Sequence, residues 1–127
     1  MSAAGKFVTV INCVDGRTQL PVIEYLKQKY DADHVDSVTE AGPVKILAEG
    51  EDQQLIESIK SRVMISTEKH GSKVVAIVGH HDCAGNPEDL MMQLVQIAGS
   101  ISAIDSWNLG VEAVGLWVDE NWSVSEV

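Results

Sequence analysis

"KVVAIVGHHDCAGNP", residues 73–87, is the stretch on which the fold turns. A short, nearly continuous apolar run ends at Gly79, and His80, His81, Asp82 and Cys83 follow at once. Such a run reads as a strand buried on both faces, as in a parallel sheet. A core has no use for that much polar and metal-binding chemistry in four residues, so the strand must deliver it to a site. The only other cysteine repeats the arrangement. In "KFVTVINCVDGR" (6–17) an apolar run ends in Cys13, with Asp15 and Arg17 just beyond.

Working outward, "VEAVGLWV" (111–118) is a third run of the same kind and "HVDSVT" (34–39) a weaker fourth. Helical spacing fills the intervals. Pro21 suits a first helical turn, with Val22, Leu26 and Tyr30 on one face. Leu55, Ile59 and Val63 mark a second helix that Gly71 ends. Asn86-Pro87 reads as an N-cap and first helical position, with Glu88 and Asp89 in the first turn. Leu90, Leu94, Ile97, Ile101 and Ile104 then form an inward stripe, beside which Met91 and Met92 are expected to pack. Strands alternating with helices predict an α/β fold: a central, mostly parallel sheet of four to five strands flanked by helices. Residues 1–127 are read as a single domain. If the first and third strands are neighbours, with the second beyond the first, the two cysteine motifs flank a topological switch point. That crevice is where open α/β sheets bind ligands.

The net charge of −10 argues against nucleic acid and anionic membrane surfaces as partners, since both repel it. The sequence carries neither a signal-peptide pattern nor an apolar run long enough to span a bilayer. A cytoplasmic location is expected, where thiols stay reduced.

Cys13, His80 and Cys83 together offer two thiolates and an imidazole, a donor set that suits zinc. Three protein ligands leave a fourth tetrahedral position free, the mark of a catalytic site. Two thiolates also cancel the charge of the ion, so water bound there ionises less readily than at a three-imidazole site. A group that orients that water is therefore needed. Asp15 fits as acceptor, with Arg17 holding it ionised. The residues alone leave rivals open: buried structural cysteines, a Cys13–Cys83 disulfide, or a cysteine nucleophile. A redox pair is disfavoured because no Cys-x-x-Cys is present.

"CVDGR" followed by "GHHDC" resembles the Cys-x-Asp-x-Arg and His-x-x-Cys pair of the β-class carbonic anhydrases. "EAGPV" (40–44) is similar to that family's Ala-Gly loop, "HGSKVVAIVGHHDCAG" to its run into the second motif, and "VEAVGLWVDENWSV" to its closing strand and turn. The likeness spans the chain from Phe7 onward. It implies one zinc per chain on Cys13, His80 and Cys83, a catalytic dyad of Asp15 and Arg17, and attack of zinc hydroxide on carbon dioxide to give bicarbonate. It further implies a homodimer or higher homo-oligomer, and a closed state in which Asp15 itself takes the open zinc position. Thr39 and Glu40 stand where the family carries Arg-Asn. The same zinc chemistry would serve a carbon disulfide or carbonyl sulfide hydrolase, and a catalytically silent zinc-binding relative is the reading from outside the enzymes.

The remaining candidates have plainer expected roles. His81, beside a ligand, could relay protons but is expected in a structural or surface role, and Asp82 either buttresses the loop or supports a ligand. His34 is read as an element-boundary residue and His70 as a helix-end cation. Trp107, Trp117 and Trp122 are expected to supply buried aromatic surface or a subunit interface.

Overall fold

The computed structural model describes residues 4–127. Five strands form one sheet in the order β2-β1-β3-β4-β5. They are β1 (Phe7–Cys13), β2 (His34–Glu40), β3 (Val74–His80), β4 (Glu112–Val118) and β5 (Val124–Glu126). The first four run parallel, and β5 returns antiparallel to β4. This is the expected α/β architecture, with β1 and β3 adjacent and β2 beyond β1. The parallel register carries Cys13 to the carboxyl end of β1 opposite Glu40, and His80 to the carboxyl end of β3 opposite Val118. Both cysteine motifs therefore leave the same edge, on either side of the switch point.

Side chains alternate between two packed faces. On one, Val8, Val10, Ala76, Val78 and Leu116 meet Val22 and Leu26 of α1 (Gly16–Tyr30). On the other, Ile11, Val38, Val75 and Ile77 are covered by three helices: α2 (Pro43–Glu49), α3 (Gln53–Met64) and α4 (Leu90–Asp105). After α3 the chain makes a π-helical turn, Ile65–Lys69, and Gly71 (φ 71°) redirects it. His70 follows that turn; its Nδ1 lies 2.6 Å from an Asp36 carboxylate oxygen, and its ring stacks on Phe7. His34 opens β2, as expected, and also lies against Phe7.

Several helix boundaries differ from the sequence reading. Pro21 lies in the interior of α1 and not in its first turn. The helix starts earlier because the Asp15 carboxylate accepts from the Arg17 amide and caps it. Helix α4 is likewise not capped by Asn86. Its cap is Asp89, which accepts from the Met92 amide at 2.9 Å, while the buried Asn86 side-chain amide donates to Gln96 Oε1. The buried face of α4, Gln93, Ile97, Ser100 and Ile104, keeps only part of the expected apolar stripe. Ile97 and Ile104 are buried, whereas Leu90, Met91 and Met92 are exposed and Met91 is 71% accessible. Helix α2, in and beyond the Ala-Gly loop, was not anticipated as a helix.

Candidate metal centre

Cys13, His80 and Cys83 converge at the carboxyl edge of the sheet, each at most 4% accessible. Their ligand atoms all lie within 4.8 Å of one another, the only such group among the described residues. The two sulfurs are 3.7 Å apart, and both cysteines are free, which removes the disulfide reading. Two thiolates on one tetrahedral zinc, with bonds of about 2.3 Å, stand about 3.8 Å apart. His80 Nδ1 lies 2.7 Å from the His81 carbonyl oxygen, so Nδ1–H donates there and the lone pair of Nε2 faces the cluster. Nε2 is buried and has no hydrogen-bond partner. A buried nitrogen without a partner, aimed between two thiols at this spacing, is what a metal ligand looks like.

Charge in the cluster follows from the neighbours. The Cys13 pKa falls far below the ordinary thiol value because the Cys83 thiol donates to it; burial opposes this, and His80 and the backbone N–H groups of Gly42 and Asp15 add to it. Cys83 moves the other way, its proton retained by that same contact with Cys13 and by burial, although the Gly85 and Asn86 amides favour its thiolate. Burial presses the His80 pKa down, but the charge of the nearby Cys13 thiolate and the His81 carbonyl outweigh it and the value ends raised. Without metal, the pair thus holds a single thiolate, and backbone donors already point at both sulfurs.

Those donors are in place because two loops pack backbone against backbone. Gly42 has φ 67°, and a Cβ there would lie 2.8 Å from the Gly85 carbonyl oxygen. A Cβ on Gly85 would lie 2.7 Å from the Ala41 carbonyl carbon. Glycine is required at both positions, and the sequence reading had assigned neither this role. Gln93, buried on α4, was also missed. Its Oε1 accepts from the His80 amide at 3.1 Å, and its Nε2 donates to the His80 carbonyl at 2.9 Å and to that of Glu88. A glutamine inside an otherwise apolar helix stripe was the available signal.

Asp15 and Arg17 lie beside the cluster. Arg17 Nη2 is 2.7 Å from Asp15 Oδ2, and Arg17 Nε approaches both carboxylate oxygens. The guanidinium pulls the Asp15 pKa down to about 2, so the carboxylate is ionised. Asp82, with φ 58°, donates nothing to a ligand. Its carboxylate and its backbone oxygen instead accept from Arg17 at 3.2 and 3.1 Å. Trp122 supplies a third contact, its ring centroid 4.4 Å from Arg17 Cζ. His81 is exposed, as expected. Glu40, in the Thr39-Glu40 pair, forms an ion pair with Arg62. Trp107 and Trp117 are half-buried against the helix-covered face, remote from the role Trp122 plays. An open cleft of about 490 Å³ is lined in part by Asp82, Cys83, Pro87 and Glu88, and of the cluster only Cys83 borders it.

A family model described as "Putative carbonic anhydrase" matches residues 3–127. The chain belongs to that family. Solved carbonic anhydrases share its fold. The β-carbonic anhydrase isoform I of Trichomonas vaginalis superposes with a TM-score of 0.59 at 14% identity, over 94% of this chain and 80% of that one. A β-carbonic anhydrase of Aspergillus fumigatus gives 0.63 at 14% identity, over 94% and 74%. One of the tetrameric β-carbonic anhydrases of Sordaria macrospora gives 0.62 at 11% identity, over 98% and 82%. At such identities these likenesses establish the β-carbonic anhydrase fold and no more. No curated protein sequence matches the chain. Family and fold thus agree with the resemblance carried by the two cysteine motifs, and the Cys-His-Cys cluster is one that could hold a metal.

Proposed function

We propose that this chain is a zinc-dependent carbonic anhydrase that interconverts carbon dioxide and bicarbonate. The observation that carries the reading is the buried, unpartnered Nε2 of His80 facing two free thiols at tetrahedral spacing. Cys13, His80 and Cys83 would hold one zinc, which when bound supplies the Lewis acidity that makes water nucleophilic near neutral pH. The chain's own residues would supply orientation. Arg17 keeps Asp15 ionised and occupies most of its lone pairs: Oδ1 accepts from the Arg17 amide and Nε, and Oδ2 from Nη2 at 2.7 Å with Nε shared at 3.3 Å. The reacting water would take the place of that long, shared Nε contact on Oδ2.

The reading extends to assembly and place. We infer a homo-oligomer, in the first instance a dimer, that meets through α4. Between Leu90 and Ile104 this helix carries no charged residue, although the chain has a net charge of −10. Its outer side exposes Met91 and Val95, at 71% and 66%. A second acidic copy can approach there without like-charge repulsion, and closed two-fold dimers are the commonest soluble assembly. No helix among the described residues is long and apolar enough to cross a membrane. A reducing cytoplasm would keep both thiols free for metal.

Stopped-flow hydration of carbon dioxide by the zinc-loaded protein tests the activity. Turnover is expected, and Arg17→Ala should lower it about 100-fold, the scale of a lost orienting or proton-accepting group. Absence of carbon dioxide turnover would overturn the proposal. Turnover of carbonyl sulfide or carbon disulfide alone would replace it with a hydrolase, and silence with all three would leave a zinc protein whose function is binding.

A further inference from the structure

The turn between β4 and β5 holds a residue that its backbone does not favour. Trp122 has φ 59°, a left-handed conformation uncommon for any residue but glycine and asparagine and an outlier for one this bulky. Asn121, which tolerates that conformation, stands one position too early. The turn is fixed by Asp119, whose Oδ1 accepts from the Asn121 and Ser123 amides and whose carbonyl accepts from the Trp122 amide. Bulky residues persist in such conformations where the surroundings over-determine them, and they cluster at functional sites. Here the indole is carried to the metal-centre edge, over Arg17 and 6.4 Å from the His80 ring.

Arg17 needs such a partner. Its side chain is 47% accessible; the forked pair with the half-buried Asp15 fixes one edge, while the pair with Asp82 is exposed and constrains little by itself. The hydrogen bonds to Asp15 and Asp82 point along the edges of the guanidinium and restrain motion within its plane. A ring packed against the guanidinium adds the restraint on motion out of that plane that edge contacts supply only weakly.

We propose that Trp122 is a positioning residue of the metal centre: its indole face locks the Arg17 guanidinium, and through it the orientation of the Asp15 carboxylate beside Cys13. This deepens the carbonic anhydrase reading and rests on it for its consequence, though not for its first test. The three anchors of Arg17 come from distant segments: Asp15 at the start of α1, Asp82 after β3, and Trp122 at the end of the sheet. The turn from β4 into β5 thereby acts on the site without contributing a ligand.

The test uses zinc-free, reduced protein labelled with nitrogen-15, in which only Arg17 and Arg62 give Nε–Hε signals. Arg17→Lys assigns them. Solvent exchange of the Arg17 Hε should quicken about three- to tenfold in Trp122→Leu, the range expected from a partly exposed cation–π contact. Trp122→Phe should restore slow exchange. Trp122→Asn, which suits the left-handed turn, should behave like the leucine variant and serves if that one fails to fold. On the zinc-loaded enzyme, kcat for carbon dioxide should fall by a similar factor in the leucine and asparagine variants and recover with phenylalanine. Unchanged Hε exchange in a folded leucine or asparagine variant would overturn the proposal, as would fast exchange in the phenylalanine variant. Failure of the wild type to turn over carbon dioxide would strike the carbonic anhydrase reading alone, because the exchange measurement needs neither zinc nor substrate.

Discussion

The Cys-His-Cys cluster and the Arg17 system share one sheet edge, yet they are held in opposite ways. The ligands are buried, two of them end strands whose register is fixed by parallel ladders, and the third sits in a loop wedged against a neighbouring backbone by two glycines. The Arg17 system is half-exposed and rests on side-chain contacts from three separate segments, two of which place a non-glycine residue at positive φ. Backbone placement brings Cys13, His80 and Cys83 together through strand register and close loop packing. Side-chain placement gives a charge that can be tuned by distant residues. The two halves should therefore respond differently to mutation.

The largest effect is expected within the backbone-held half. Cys83→Ala or Cys13→Ala should weaken zinc binding by more than the roughly 10–100-fold that loss of a supporting residue costs. Competition against a chromophoric chelator measures this. Gln93→Leu comes next. It leaves the His80 amide and carbonyl buried and unpaired, which should cost about 1–3 kcal/mol in urea unfolding, and it should loosen zinc by about 10–100-fold. An unchanged affinity would show that the strand end alone places His80.

How far the sequence disclosed these features follows the same division. The strands and the three residues that could hold a metal were legible because β-branched runs and metal-binding residue types are local signals. Gly42 and Gly85 could not, since their role is a contact between loops 43 residues apart in the chain. Asp89 displaced Asn86 as the cap of α4 because Asn86 is drawn into the loop by Gln96, a tertiary contact with no local signature. Asp82 and Trp122 were noticed as residue types, but their meeting on Arg17 depends on the sheet closing first.

Smaller effects sharpen the contrast. Gly42→Ala forces a left-handed residue against the Gly85 carbonyl and should destabilise the fold by about 1–3 kcal/mol, read from the denaturation midpoint. Asp82→Asn, which keeps a residue that tolerates φ 58°, should cost less than about 1 kcal/mol, because the Asp82 carboxylate is 69% accessible and solvent screens the pair. Zinc affinity should stay near wild type in that variant. A large loss of metal there would erase the distinction between the two halves.

The central claim is that the buried cluster is a zinc site made by Cys13, His80 and Cys83. Zinc K-edge X-ray absorption on the wild-type protein, with metal content measured on the same sample, tests it most directly. The expected result is one zinc per chain with two sulfurs at about 2.3 Å, one imidazole nitrogen at about 2.0–2.1 Å and one further light ligand. A protein that takes up no zinc, or one whose zinc is surrounded by nitrogen and oxygen without sulfur, would contradict it.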